Sequence, residues 1–164
     1  MARDIQKDLE FLRTCLAIRK SSLPVQERIV RWQGLLRSAG EHPRILWTLL
    51  GADLEEVGRL DEALEWYAKS RAHESMARIY LKFGQRENAL ACLKRTEQSH
   101  RTGPASLLLE AEIRGEFGEH EEVARLLNLA FCRTPEDERA PTTYQQIREI
   151  GERFAVPVPR MMSA

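Results

Sequence analysis

The chain has 164 residues, and its 25 basic and 25 acidic side chains cancel to a formal net charge of zero. That length suits one ordinary domain, able to bury about two-thirds of its unfolded surface without disulfide or metal staples. Its three cysteines, Cys15, Cys92 and Cys132, form no CxxC pair and fall inside helical apolar patterns, so they read as small hydrophobes in a reducing compartment.

The opening MARDIQKDLEFL is charged and periodic, without the apolar core of a secretion signal. No later stretch approaches the roughly 18 apolar residues of a membrane span, so a cytoplasmic location is expected. Charge is unevenly placed: residues 1–44 hold 9 basic and 5 acidic side chains, whereas 105–138 hold 3 and 9. Such asymmetry favours an oriented partner or head-to-tail contact between copies, and its plainer reading is a solvated helix surface.

In chain order, residues 4 to 20 set Ile5, Leu9, Leu12 and Leu16 on one stripe beside Phe11, Cys15 and Ile18, the three-and-four spacing of a buried helical face. Pro24 suits the first turn of a second helix, whose face of Val25, Ile29, Trp32, Leu35 and Leu36 ends near Gly40. Pro43 opens a third, carrying Ile45, Trp47, Leu50, Leu54 and Val57 to a turn at Gly58, and Asp61 and Glu62 start its partner where a helix N-terminus favours negative charge.

From there one spacing recurs: a small residue, a glycine seven later, a small residue five after that. The three copies are Gly51, Gly58, Ala63; Ala77, Gly84, Ala89; and Ala111, Gly118, Val123. Each copy reads as two antiparallel helices meeting at a glycine-closed turn, a unit that cannot bury its apolar face alone and must stack on neighbours. Gly51 is expected to let the paired helix approach, with Ala63 answering it, and the same holds for Ala77 with Ala89. After Thr134-Pro135 and an acidic run to Pro141, Tyr144, Ile147, Ile150 and Phe154 mark a last amphipathic helix, and the tail 156–164 with Pro157 and Pro159 should be extended or flexible.

The pattern resembles tetratricopeptide repeats. The first copy carries Trp47, Leu50, Gly51, Gly58, Ala63 and Tyr67; the second Ala77, Tyr80, Gly84, Ala89 and Leu93; the third Leu107, Ala111, Gly118, Val123, Leu127, Ala130 and Pro135. Gly84 to Gly118 spans 34 residues, the period of that family, but Gly58 to Gly84 spans 26, so about two helical turns are missing there. Arg114 stands where a packed aromatic is usual. The resemblance implies an all-α, short right-handed α-solenoid over residues 1–155, with an N-terminal helical pair (1–42) as cap, repeats at 43–72, 73–102 and 103–137, and a capping helix at 141–155.

It also implies a concave groove lined by the first helix of each repeat. Matched residue by residue, the groove positions are Thr48, Ala52 and Glu55, then Glu74, Arg78 and Lys82, then Leu108, Glu112 and Glu116. Members that grip a C-terminal carboxylate use Asn where Ala52, Arg78 and Glu112 stand, so that clamp is not expected. Arg78 and Lys82, one turn apart, either hold an acidic side chain of a partner or pair with Glu74 on their own helix.

Other chemistries find little footing. His73-Glu74 and His120-Glu121 begin like the zinc-protease HExxH pattern, but Ala77 and Ala124 stand where its second histidine is needed. Gly115 and Gly118 lack the Lys-Ser/Thr of a phosphate-binding loop, and no serine or cysteine sits in a nucleophile motif. Arg13, Arg19, Lys20, Arg28, Arg31 and Arg37 could meet nucleic-acid phosphates, yet Glu10 and Glu27 interleave them and the acidic third repeat would repel a backbone. The expectation is a non-enzymatic adaptor or scaffold that needs no cofactor or metal and binds a partner peptide or helix. The alternatives are a dedicated chaperone for a secreted or aggregation-prone client and, behind it, a nucleic-acid-associated repeat protein.

Overall fold

The computed structural model describes residues 2–38, 43–98, 103–134 and 140–159, and every regular element among them is an α-helix. Gly40, Pro135 and residues 160–164, which carry expectations above, lie outside the described residues, as does the side chain of Ile5. The chain divides into two compact units, Met1–Ala72 and His73–Ala164.

The first unit holds α1 (Ala2–Lys20), α2 (Val25–Ser38), α3 (Pro43–Glu56) and α4 (Leu60–Ser70). Each helix packs on the next, most extensively α3 on α4. Pro24 lies just before α2 rather than in it, and its carbonyl accepts from Glu27 N at 3.0 Å and Arg28 N at 3.1 Å. On α1 the stripe expected to be buried is the exposed one: Leu9, Leu12 and Leu16 remain 51%, 39% and 56% exposed, while Cys15 and Ile18 face inward. The helix touches little besides α2, so only a narrow face is covered, and it is the one a residue to the side of the leucines. On α3 the inward residues are Leu46, Leu50, Asp53 and Leu54, whereas Ile45 is exposed and Trp47 half-buried; the fully enclosed tryptophan is Trp32 of α2.

The second unit holds α5 (His73–Lys82), α6 (Arg86–Gln98), α7 (Pro104–Glu116), α8 (His120–Arg133) and α9 (Ala140–Arg153). Its central element is α7, which packs on α5, α6, α8 and α9. Accordingly Ser106 through Leu109, Ala111, Ile113 and Gly115 are all buried, so α7 is covered on more than one face. The shortened spacing before this unit is absorbed by shorter helices and a short link. Helix α4 has 11 residues and α5 has 10, against 13 in both α6 and α7, and only Arg71 and Ala72 join α4 to α5.

The three hairpins α3–α4, α5–α6 and α7–α8 close with one repeated turn. Gly58, Gly84 and Gly118 have φ of 78°, 68° and 77°, the left-handed conformation glycine enters without steric cost. Arg59, Gln85 and Glu119 each donate backbone N–H five residues back, to Leu54 O at 2.9 Å, Tyr80 O at 2.8 Å and Arg114 O at 3.1 Å, satisfying carbonyls the helix end would orphan. A Cβ on Gly84 would meet nothing within 4 Å, so substitution there reads backbone strain alone. Gly84→Val is expected to cost about 1–2 kcal/mol and Gly84→Asn less, measured by urea unfolding. The same bond pattern ends α4 and α9 without glycine: Arg71 and Ala155 take φ of 57° and 52°, with Ala72 N donating to Tyr67 O and Val156 N to Gly151 O, both at 2.9 Å.

Small residues do sit where helices meet, with a changed partner at Gly51. A Cβ there would come within 2.8 Å of the Tyr67 ring, so the residue that needs the space is Tyr67, one turn beyond Ala63. Gly115 does the same for Phe154 of α9's end, whose ring would lie 2.5 Å from an added Cβ. Beyond α9 the described residues form no further helix, as Pro157 and Pro159 dictate, but they are not loose. Val156 and Val158 pack against the apolar core of the second unit, and Val158 occupies the notch that Gly151 leaves open. This apolar pair supplies what the prolines alone do not reveal.

Candidate functional site

Two charged clusters stand out, and they differ in whether their hydrogen bonds are complete. In the first unit Asp53 is fully buried, and four N–H groups converge on it. Oδ1 accepts from Arg19 Nη1 at 2.6 Å and Arg28 Nη2 at 3.0 Å; Oδ2 accepts from Arg28 Nε at 3.1 Å and Trp32 Nε1 at 2.6 Å. Arg28 also reaches Leu23 O and Glu56 Oε2, and its bonds to Asp53 raise its pKa further despite the opposing effect of burial. With both oxygens doubly occupied, this carboxylate has nothing left for a ligand. The cluster ties α1 and α2 to α3. It also turns Arg19 and Arg28, two of the six cations considered for phosphate binding, toward a carboxylate.

The second cluster lines a cleft of about 360 Å³ in the second unit. Helix α5 contributes Arg78, α7 contributes Ala105, Leu108, Leu109 and Glu112, and α9 contributes Gln146, Glu149, Ile150 and Arg153. The α9 residues follow the spacing i, i+3, i+4, i+7, which places them on one helical face. Leu108, Leu109 and Ile150 are buried and provide apolar surface. Arg153 donates to Glu116 Oε1 and its guanidinium carbon stands 5.1 Å from the Phe154 ring centre, so that cation is already matched. Glu149 accepts from Gln145 Nε2 at 2.8 Å.

Glu112 is different. Among the described residues its carboxylate receives no hydrogen bond and forms no ion pair, although it is partly buried. Burial pushes its pKa above the ordinary glutamate value, Arg153 opposes that, Glu116 adds to it, and Arg78 opposes it. Arg78 is exposed and donates from Nη2 to Ser75 Oγ at 3.1 Å.

Of the nine groove positions drawn from the repeat pattern, three line this cleft: Arg78, Leu108 and Glu112. Glu74 instead accepts from Ser106 Oγ, so the bonds formed by Arg78 and Glu74 run to two serines rather than to each other. Lys82 is exposed, and Glu116 serves the cleft indirectly by holding Arg153. Thr48, Ala52 and Glu55 belong to the first unit; Thr48 Oγ1 donates to Arg44 O at 3.1 Å and Glu55 accepts from Tyr67 OH at 3.0 Å. The α9 wall went unforeseen because a capping helix carries no groove positions in the repeat pattern. The run Gln146, Glu149, Ile150, Arg153, an apolar residue framed by polar ones on a single face, is the signal that could have found it.

Arg114, placed where an aromatic was expected, is paired on both sides, with Glu110 Oε1 at 2.8 Å and Glu119 Oε2 at 2.7 Å. Glu119 also meets Arg86 of α6, whose guanidinium carbon stands 4.8 Å from the Phe117 ring centre, so an ionic chain links the turn of α7 to α6. Cys15 and Cys92 are buried, and desolvation raises both thiol pKa values; Cys132 is exposed, contrary to its reading as a core residue. No helix among the described residues is long and apolar enough to cross a membrane. No family model, no curated protein and no solved structure matches this chain.

Proposed function

We propose that this protein is a non-catalytic adaptor, a short right-handed α-solenoid of tetratricopeptide-like hairpins that takes a helix or extended segment of a partner protein in the cleft of its second unit. Three hairpins closed by the same left-handed glycine turn support the repeat reading. The observation that carries the docking reading is the cleft itself: an apolar wall of Leu108, Leu109 and Ile150 set beside Glu112 and Arg78, two opposite charges not satisfied by each other. A surface that is part apolar and part polar, with hydrogen-bonding capacity unspent, is what a peptide segment needs to trade its hydration for contacts.

Ala105 lies exposed in the cleft wall, so a large side chain there fills the space without disturbing the core. Ala105→Trp is expected to leave the melting temperature within a few degrees of wild type and to weaken a stoichiometric partner captured from native lysate by at least about tenfold. Retention of that partner at full strength by Ala105→Trp would move the site off this cleft. Absence of any stoichiometric partner would count against the adaptor reading.

A further inference from the structure

We infer that the cleft of the second unit receives a positively charged side chain, a lysine or arginine of the partner segment, with its head on Glu112 and its methylene stem along Leu108, Leu109 and Ile150. This rests on the docking reading of the cleft and names the chemistry that the occupant must bring. Two observations converge on a cation. The Glu112 carboxylate is the one charged group of the lining with neither hydrogen bond nor ion pair among the described residues, so it offers acceptor sites to an incoming donor.

Next, neither cation of the lining bonds to Glu112: Arg153 is held by Glu116 and lies against Phe154, and Arg78 donates to Ser75 Oγ. A lysine or arginine stem also matches the apolar wall, because these side chains bury methylenes while their heads stay at a polar rim. Arg78, on the cleft's α5 side, disfavours a dense run of cations and suits a single basic residue with an acidic or neutral neighbour.

The test uses three short amphipathic leucine-alanine helical peptides, identical except at one position in the middle of the apolar face, occupied by lysine, by norleucine or by glutamate. Each is titrated against the whole protein by NMR and by calorimetry. The expected result is that the lysine peptide shifts the resonances of Leu108, Glu112 and Ile150 and binds more tightly than the other two. Glu112→Gln, which keeps the side-chain shape, should lower lysine-peptide affinity about tenfold and leave norleucine-peptide affinity unchanged. Because Gln lacks the carboxylate whose charge burial disfavours, this variant should melt no lower than wild type, and a folding defect would be visible in the melt.

Tighter binding of the glutamate peptide, or equal lysine-peptide affinity in Glu112→Gln and wild type, would overturn the cation assignment while leaving the cleft as a docking groove. If none of the three peptides perturbs the cleft, the docking reading falls together with the inference.

Discussion

Asp53→Ala is expected to remove about 3–5 kcal/mol of stability, enough to leave the first unit largely unfolded under native conditions. The effect comes from what is left behind. Arg28 stays in the interior with two of its donors empty, and Trp32, wholly enclosed, loses the acceptor for its indole N–H. Arg19 loses its bond as well, but at 44% side-chain exposure it can return to water. Asp53→Asn separates charge from shape: it keeps an acceptor oxygen but presents an amide to donors, so it should recover only part of the loss. Replacing Arg28 together with Asp53 by leucine and alanine should cost less than Asp53→Ala alone, because no uncompensated guanidinium remains. Urea unfolding followed by tryptophan fluorescence reads all three, and a loss below about 1 kcal/mol for Asp53→Ala would show that the cluster is not what fastens α1 and α2.

Tyr67→Ala should come next, at about 3–5 kcal/mol, since it empties the space over Gly51 and removes the hydroxyl that donates to Glu55. The reverse change tests the same joint: Gly51→Ala drives a methyl into the ring and should cost about 1–3 kcal/mol. The two substitutions answer each other, so the double variant Gly51→Ala, Tyr67→Leu should be more stable than the sum of its parts by about 0.5–3 kcal/mol. Tyr67→Phe keeps the ring and removes the hydroxyl that donates to Glu55, a loss of about 1 kcal/mol.

What could be read from the chain beforehand was periodic, and what could not was pairwise. The spacing of Gly58, Gly84 and Gly118 announced three turns because a left-handed residue closing a helix leaves a compositional mark. Arg71 and Ala155 adopt the same conformation and left no mark, since neither residue type signals a left-handed turn in a sequence. The stripe of Leu9, Leu12 and Leu16 had the right period and the wrong azimuth: periodicity says that a helix has an apolar face, while the packing partner decides how much of it is covered. The Asp53 cluster joins residues 21 to 34 positions apart, and a buried aspartate looks like any surface one until its donors are placed. For the cleft, the pattern supplied Arg78, Leu108 and Glu112 on α5 and α7, but Arg153 and Ile150 enter from a helix outside the repeat, whose approach no spacing encodes.

The segment beyond α9 bears on that last wall mechanically. Val158 sits in the gap at Gly151, and Gly151 adjoins Ile150 and stands two residues from Arg153. A smooth helix lying on a smooth surface can roll about its axis; one with a peg seated in a keyway cannot. The valine is the peg and the missing side chain of Gly151 the keyway, so α9 cannot turn without first expelling the segment that follows it. The angle at which Ile150 and Arg153 face the cleft is therefore braced from behind as well as by the packing of α9 on α7 and α8, and a change at Val158 reaches the cleft without altering any residue that lines it.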